Sequence, residues 1–399
     1  MTDAPRMTAA HPPSKRRRWR RALALAAFLL AGLAPAGHAF MEGFIDQSDG
    51  HFDMSDWLVN KKGFMPIPIV ITEPAVGYGG GLALMFVRNS MRESAEKSKE
   101  TGHIVPPDIF VLGAAATENG TRAAFAGGML SFDDDRWRYR GGVARTDVNL
   151  EFYGIGSQLG GGARSIGYSL DGWMSSQQVL RRLGDASSNN WLGARWIFLD
   201  LDSKLNIDSP FAGLAPDEQS KRSSGLGLTL EHDSRDNIFT PNKGWTGAID
   251  ATFYDPDWGS DTRFQAYRSH VFAYWPVAKT WVLATRLDGR AARGKVPFYQ
   301  LPYVDLRGVP AARYQDENTA VMEAELRWNV TPRWAAIGFM GAGRAWGRHE
   351  SFSETSSAES RGVGFRYLIA RQLGLWVGID YAKGPEDDAW YIQVGNAWR

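Results

Sequence analysis

The chain has 399 residues, a formal net charge of +1, 12% aromatic residues and 44 glycines, while only 22% of its residues are charged. It contains no cysteine, which excludes thiol catalysis, thiolate metal sites and disulfide bonds. Only one apolar run approaches the ~20 residues that a membrane-spanning helix needs, which excludes a polytopic helical membrane protein, and the many aromatic residues argue against disorder.

Residues 1–39 have the order of a secretory signal peptide. A cluster of Lys and Arg is followed by the apolar run 22–34 and then by small residues that end at Ala39. This order predicts an exported protein whose signal peptide is cleaved after Ala39 or Ala36. A membrane anchor is the alternative, but Pro35 follows the apolar run at once, and the run has the length typical of a signal peptide.

Removal of the signal peptide changes the charge balance. The segment contains seven Lys and Arg and one acidic residue, so the remainder has 38 basic and 43 acidic residues and a net charge of −5. The basic surface that nucleic-acid binding needs is therefore not expected, and no nucleic-acid partner is predicted.

Residues 40–63 form a short segment that we expect to lie in the periplasm. The stretch 53–60 is compatible with one short helix capped by Asp53 or Ser55, with Trp57 and Leu58 partly buried. A disordered tether is the alternative that the sequence leaves open.

From Phe64 onward, apolar residues alternate with polar or small ones in stretches of ~9 to 18 residues, separated by Gly, Pro, Asn and Asp. The pattern predicts an all-β domain over 64–399 with sixteen antiparallel strands. An even strand number is typical of single-chain bacterial transmembrane barrels. The predicted strands cover 64–72, 76–88, 107–117, 121–132, 136–153, 165–183, 189–202, 224–234, 244–255, 262–277, 280–293, 319–330, 333–346, 361–370, 375–382 and 390–398.

The last strand shows the alternation most clearly. Trp390, Ile392, Val394 and Trp398 share one face, which we expect to contact lipid, whereas Gln393 is expected to face the lumen.

Connection lengths give an independent indication of a barrel. Short turns alternate with long polar loops at 154–164, 203–223, 294–318 and 347–360, as periplasmic turns alternate with extracellular loops in outer-membrane barrels. The polar stretch 89–106 departs from this rule, so it is either a long periplasmic excursion or a sign that the first two strands are misplaced. Soluble β-sandwiches or a propeller are the alternative fold, but repeated blade motifs are missing.

Known catalytic motifs are absent from the sequence. There is neither a Gly-x-Ser-x-Gly elbow nor a His-Glu-x-x-His helix, and the glycine run 154–162 is followed by strand pattern rather than by a nucleotide-binding helix. We therefore predict no enzyme activity, no catalytic residue, no metal and no cofactor.

The segment 297–314, between the eleventh and twelfth strands, is too aromatic and apolar for a solvated loop. We expect it to fold into the lumen, with the tip motif Leu306, Arg307, Gly308 and Val309. A buried arginine needs a carboxylate partner, because an unpaired charge is costly to desolvate.

Alternation identifies the carboxylates that can serve as that partner. Glu323 and Glu325 fall on the lumen face of the twelfth strand, and Asp380 falls on the lumen face of the fifteenth. Glu325 is the favoured partner of Arg307, because its mid-strand position matches the depth expected of the loop tip.

The motif 306–309, followed by Arg313 and Tyr314, resembles the lumen-loop motif of the BamA/TamA surface-antigen superfamily of outer-membrane barrels. The stretch 233–245 resembles the periplasmic hairpin of that superfamily. The remaining similar stretches, which resemble its closing strands, are 338–346, 362–367 and 378–382. The resemblance implies a sixteen-stranded barrel in the outer membrane of a Gram-negative bacterium, with the loop arginine bound to acidic residues of the inner wall.

Three features depart from the superfamily pattern. Gly341 stands where an acidic residue is usual, so the customary arginine partner is missing. The 24 residues of 40–63 leave no room for POTRA domains, which receive client polypeptides. The chain ends on Arg399, after Trp398, rather than on an aromatic residue.

The resemblance implies an activity in protein insertion or translocation at the outer membrane. A solute-conducting channel is an alternative, and an outer-membrane hydrolase or an anchor for a partner is a further one. The expected partners are outer-membrane lipids and lipopolysaccharide, together with unfolded outer-membrane proteins or periplasmic proteins.

Overall fold

The computed structural model describes residues 44–152, 166–205, 219–348 and 350–398. The predicted signal peptide, the loop 154–164 and most of the predicted loop 203–223 lie outside the described residues. Within the described ranges, no helix has the length and apolar character needed to cross a membrane.

Sixteen strands form one antiparallel sheet in which every strand pairs with its neighbours in the sequence, and the sheet curls into a nearly closed barrel. This confirms the predicted strand number and order. The strands are β1 Gly63–Ile71, β2 Gly79–Val87, β3 Ile109–Thr117, β4 Arg122–Phe132, β5 Trp137–Phe152, β6 Ile166–Arg182, β7 Asn190–Leu205, β8 Gln219–Asp233, β9 Gly244–Tyr254, β10 Phe264–Ala278, β11 Trp281–Gly294, β12 Asn318–Asn329, β13 Trp334–Trp346, β14 Ala358–Ala370, β15 Leu375–Lys383 and β16 Asp388–Val394.

The connection between β2 and β3 contains a helix, α2, at Met91–Thr101; a shorter helix, α1, at Ser55–Val59 precedes β1. Ser90 caps α2 by accepting a hydrogen bond from the backbone N–H of Glu93, whose side chain accepts one from the N–H of Ser90. The helix ends at Gly102, whose φ of 75° is left-handed. The long connection is therefore a helical excursion, and the first two strands are correctly placed.

The described connections fall on two rims of unequal character. One rim carries the short turns 133–136, 279–280, 330–333 and 371–374 together with the helical connection 88–108. The other rim carries the long connections 255–263, 295–317 and 347–357 together with the short ones 118–121 and 384–387. In outer-membrane barrels the short turns are periplasmic. We therefore name the rim with the short turns the periplasmic rim, and the beginning of β1 and the end of β16 lie on it.

The two faces of the sheet have opposite chemistry, because successive side chains of a strand point to opposite sides. The outer face exposes large apolar residues, and the buried residues of the inner face include many charged ones. Examples of the exposed apolar residues are Leu112, Leu228, Ile249, Met340 and Val363. Examples of the buried charged residues are Arg286, Asp288, Glu323, Arg366 and Asp380. This is a barrel with an apolar outside and a polar inside, unlike a soluble sandwich or propeller.

The barrel closes incompletely at a seam between β1 and β16, because among the described residues no ladder joins these two edge strands. β16 ends at Val394, and Gly395, with a φ of 76°, turns the chain into the lumen. The expectation that Trp398 faces lipid is therefore wrong: its side chain is buried inside the barrel. The alternation of faces ends where the extended backbone ends.

The segment before β1 is attached to the periplasmic rim. Arg333, in the turn between β13 and β14, contacts Asp46, Asp49 and Asp53 at 2.7, 2.6 and 2.5 Å, respectively. α1 begins at Ser55, whose N–H donates to the Asp53 carboxylate at 2.6 Å. A single arginine thus holds three carboxylates of this segment against the barrel.

Candidate functional site

The loop 295–317 folds back into the barrel from the extracellular rim, as predicted. Val304, Leu306 and Val309 are buried and pack on Val321, Ala345 and Ala358 of β12, β13 and β14. Burial of apolar side chains stabilises by about 25 cal/mol per Å² of surface removed from water. The loop is therefore held to one sector of the wall by packing as well as by charge.

Arg307, at the tip of the loop, lies among all three carboxylates proposed from the sequence. Its guanidinium contacts Glu323 at 2.6 Å, Glu325 at 2.8 Å and Asp380 at 2.8 Å. The guanidinium also lies 3.6 Å from the centre of the Phe339 ring, in a cation–π contact.

Glu325 is not the main partner of Arg307. Nε of Arg307 donates to Oε1 of Glu323 at 2.7 Å and Nη1 donates to Oδ2 of Asp380 at 2.8 Å, whereas the contact of Nη1 with Oε2 of Glu325, also at 2.8 Å, is an ion pair without a hydrogen bond. Glu323 is also more deeply buried, with a side chain 1% exposed against 13% for Glu325. Alternation predicted the correct face of β12, but it contains no information on the depth that the loop reaches.

The charges around Arg307 are balanced by further arginines. Arg366 of β14 binds the fully buried Asp380 through two contacts, at 2.5 and 2.9 Å. Arg286 of β11 lies 3.8 Å from Glu323. Three arginines therefore face three carboxylates, and buried charges are tolerated only when they are paired in this way. We call these six side chains the Arg307 cluster.

Two glycines make room for the loop. A Cβ atom at Gly341 would lie 2.6 Å from Cδ1 of Leu306, so the position that lacks the usual acid accommodates the loop instead. Gly308 has a φ of 86°, which favours glycine, and its N–H donates to the Tyr391 hydroxyl at 2.9 Å. The carboxylates for Arg307 come from β12 and β15, so an acid at position 341 is not needed.

A second charged group anchors the loop, and the sequence reasoning missed it. Asp305 of the loop contacts Arg286 at 3.0 Å and Arg290 at 2.9 Å, and both arginines also contact Asp288. Arg286, Asp288 and Arg290 are alternate residues of β11, so they share one face. Three alternating charged residues on one strand are the sequence signal from which this second anchor of the loop could have been predicted.

The C-terminal residues contact the same cluster from the periplasmic side. The indole N–H of Trp398 donates to Oε2 of Glu323 at 2.8 Å, and the ring packs against Phe272 and Tyr274 of β10. Asn396 donates to the Tyr274 hydroxyl. Glu323 therefore joins the in-folded loop, through Arg307, to the end of the chain.

The Arg307 cluster is a binding and positioning arrangement, since every carboxylate in it is paired with arginine. In the ranges that the structure describes, no group of three or more His, Asp or Glu side chains could hold a metal ion.

The chain matches no protein-family model and no curated protein sequence. Three similar solved structures are outer-membrane proteins. BamA from Haemophilus ducreyi, in a form lacking POTRA domains 1–3, has a TM-score of 0.57 and 12% identity, over 84% of this chain and 70% of that one. CdiB from Escherichia coli has a TM-score of 0.56 and 12% identity, over 83% of this chain and 62% of that one. CdiB from Acinetobacter baumannii has a TM-score of 0.53 and 11% identity, over 83% of this chain and 59% of that one.

The chain thus corresponds to about 60% of the length of the two CdiB proteins. At these identities the similarity concerns the fold, and it agrees with the resemblance found in the sequence motifs. The chain has the sixteen-stranded outer-membrane barrel fold of BamA and CdiB.

Proposed function

We propose that this barrel belongs to the BamA/TamA superfamily and assists the insertion or translocation of polypeptides at the outer membrane. The observation that carries the proposal is the seam, where no ladder among the described residues joins β1 to β16 and the chain after β16 turns inward. The fold shared with BamA and CdiB supports it.

An unpaired strand edge is costly inside a membrane. Hydrocarbon offers no hydrogen-bond partners, so each exposed backbone N–H or C=O costs several kcal/mol, and fully closed barrels avoid the problem. A free edge is also the place where another chain can add a strand. At the seam, the backbone N–H and C=O groups of an extended client segment can therefore form hydrogen bonds with the free strand edge as the segment enters the membrane.

The two edges are not equivalent. An unbroken register joins β1 to β2 from Gly63↔Val87 to Ile71↔Gly79, although Pro66 and Pro68 have no N–H to donate. The backbone groups of the two prolines must therefore point away from β2, toward the free edge of β1. Because proline has no N–H, this edge lacks the hydrogen-bond donors of both residues. β16 contains no proline. An incoming strand would accordingly pair with β16.

The channel alternative requires an open lumen, whereas the in-folded loop, the Arg307 cluster and the inward C-terminal residues occupy it. We therefore favour the insertion or translocation role. We propose no catalytic activity.

Photo-crosslinking tests the proposal. A photoreactive amino acid at Ile392 of β16 is expected to capture polypeptides in living cells, identified by mass spectrometry. Ile249 of β9 is the matched control, because it is also a lipid-facing isoleucine but lies away from the seam. Phe64 of β1 is expected to capture less than Ile392. Equal capture at Ile392 and Ile249 would contradict the proposal.

A further inference from the structure

The lumen contains a chamber of about 750 Å³ below the in-folded loop. The chamber lies toward the periplasmic rim, because the residues of β1, β2 and β3 that line it come from the periplasmic ends of those strands. Ligand sites in proteins commonly have volumes of ~300–1,000 Å³. We call this space the lower chamber.

One side of the lower chamber is apolar. The strands beside the seam supply Met65 and Ile67 of β1, Met85 of β2 and Ile109 of β3, and Val394, the last residue on the lipid face of β16, borders the chamber at the seam. The inward side chains of β1, β2 and β3 include no charged residue. The lumen of an outer-membrane barrel is normally polar, because it contains water. An apolar sector at this place is unfavourable unless something covers it.

Protein packing covers only part of that sector. Met65 and Val87 are buried, each at most 5% exposed. Ile67, Met85 and Ile109 remain partly exposed, and they border the lower chamber. The uncovered part is therefore available to an apolar occupant.

The opposite side of the lower chamber is charged. Arg140 binds Glu231 at 2.8 Å, Arg195 binds Asp250 at 2.8 Å, and Arg235 binds Asp233 at 2.7 Å. All six of these residues line the chamber.

A seventh charged residue, Arg268, gives this wall an excess of positive charge. It contacts Asp288 at 2.8 Å, but Asp288 also serves Arg286 and Arg290. Together with Lys61, which also lines the chamber, the lining residues include five basic side chains and three carboxylates. The side chain of Arg268 is 33% exposed, so an anionic group in the chamber can reach it.

We propose that the lower chamber binds an amphiphile with a single acyl chain and an anionic head group. The chain lies along the apolar wall of β1, β2 and β3, and the head group lies at Arg268 and its neighbours. A volume of about 750 Å³ is in the range of sites that hold a small organic ligand, which fits an acyl chain of common length with a small head group. The proposal is independent of the role in protein insertion.

Two routes lead to the lower chamber. A second cavity of about 490 Å³, beside α2, shares Met91, Arg235, Phe239 and Leu373 with it, which connects the chamber to the periplasmic side. The seam borders it as well, since Met65 of β1 and Val394 of β16 are among its lining residues. An amphiphile therefore has access from the periplasm or from the membrane.

Native mass spectrometry of the complete barrel, purified from outer membranes in detergent, tests the proposal. One acyl-chain adduct per barrel is expected after the detergent is removed in the gas phase. Deuterated palmitate and a deuterated lysophospholipid with an anionic head group are added separately. Comparison of their affinities establishes whether the barrel prefers a free fatty acid or a lysophospholipid. Monopalmitoylglycerol, which has no charge, serves as the probe for the acyl chain alone.

Two variants distinguish the contribution of the apolar wall to binding from that of the charged wall. Ile109→Gln is expected to weaken all three probes at least tenfold, whereas Val111→Gln, an inward position of the same strand that does not line the chamber, leaves binding unchanged. Arg268→Gln is expected to weaken the anionic probes at least fivefold and to leave the uncharged probe unaffected. Its control is Arg145→Gln, at an exposed ion pair on β5 away from the chamber.

The shift in gel mobility between heated and unheated protein verifies that each variant is folded. The proposal is overturned if the wild-type barrel retains no acyl adduct, or if a folded Ile109→Gln barrel binds the probes as the wild type does.

Discussion

Nη1 of Arg307 lies 2.8 Å from Oδ2 of Asp380, although 73 residues separate them in the sequence. This contact joins the in-folded loop to β15, the strand next to β16 at the seam. Glu323 connects the same arginine to Trp398 at the end of the chain. The loop and the inward C-terminal residues are thereby parts of one network, and disturbance of one is expected to affect the other.

The first prediction concerns the strength of that network. Arg307→Ala should lower barrel stability by roughly 3–5 kcal/mol, because it leaves buried carboxylates unpaired. Arg307→Lys should restore little, since an ammonium cannot replace the planar guanidinium fork. Double-mutant cycles in urea are expected to give a larger coupling with Glu323→Gln than with Glu325→Gln. Coupling below ~0.5 kcal/mol for both pairs would mean that neither ion pair contributes.

The second prediction concerns Gly341. Gly341→Val should clash with Leu306 and displace the loop, at a cost of ~1–3 kcal/mol, and should raise the conductance of the barrel in planar bilayers. The matched control is Gly338→Val on the same strand, because a Cβ atom there meets nothing within 4 Å. An unchanged conductance in a folded Gly341→Val barrel would show that the loop does not block the lumen.

The third prediction concerns the two faces of β16. Ile392→Arg places a charge in hydrocarbon and should cost roughly 2–4 kcal/mol near the middle of the membrane. Gln393→Arg, one residue away, should cost much less because that side chain faces the lumen. Refolding yields into lipid vesicles measure the difference. Similar losses for both variants would show that β16 does not have one lipid face.

The fourth prediction concerns the acid sensitivity of the segment before β1. The hydrogen bond from Arg333 lowers the pKa of Asp49, and the hydrogen bond from Arg371 lowers the pKa of Asp46. A carboxylate whose pKa is lowered by attachment stabilises the attached state fully above its ordinary pKa of about 3.9, and this contribution is lost progressively as the pH falls from there through the lowered pKa.

A spin label at Ser48→Cys measures this release. The label should be immobile at pH 7 and should become progressively more mobile as the pH falls from about 4 through the lowered pKa values of the two carboxylates. In the Arg333→Gln variant it should be mobile at pH 7 as well. A label that stays immobile in Arg333→Gln would show that the arginine does not hold the segment.

The fifth prediction concerns topology. Cysteines placed at Ser157, Ser220 and Ser356 of this cysteine-free chain should react with an impermeant maleimide on intact cells. Ser356 lies in the described connection 347–357, Ser220 lies at the start of β8, and Ser157 lies outside the described residues. Lys279→Cys, in a short turn, should react only after the outer membrane is disrupted. The reverse pattern would invert the assignment of the rims.

Much of the fold could be read from the sequence, because strand alternation is a local property. A side chain that alternates in a strand points to one side of the sheet whatever the partner strand is. This is why the number of strands, the lipid face at Ile392 and the lumen face at Glu323 could be predicted. The apolar character of 297–314 also predicted the in-folded loop, because such a segment is unfavourable in water.

Contacts between distant parts of the chain required the tertiary structure. Alternation gives the side of a strand but not the height that a loop tip reaches, and the assumption that the tip reaches mid-strand placed Glu325 ahead of Glu323. The chain turns inward at Gly395, which has a positive φ, and Trp398 therefore lies in the lumen and not on the expected lipid face. The seam and the lower chamber exist because the curvature of the sheet brings its two edge strands, β1 and β16, close to each other. No local sequence pattern encodes that curvature.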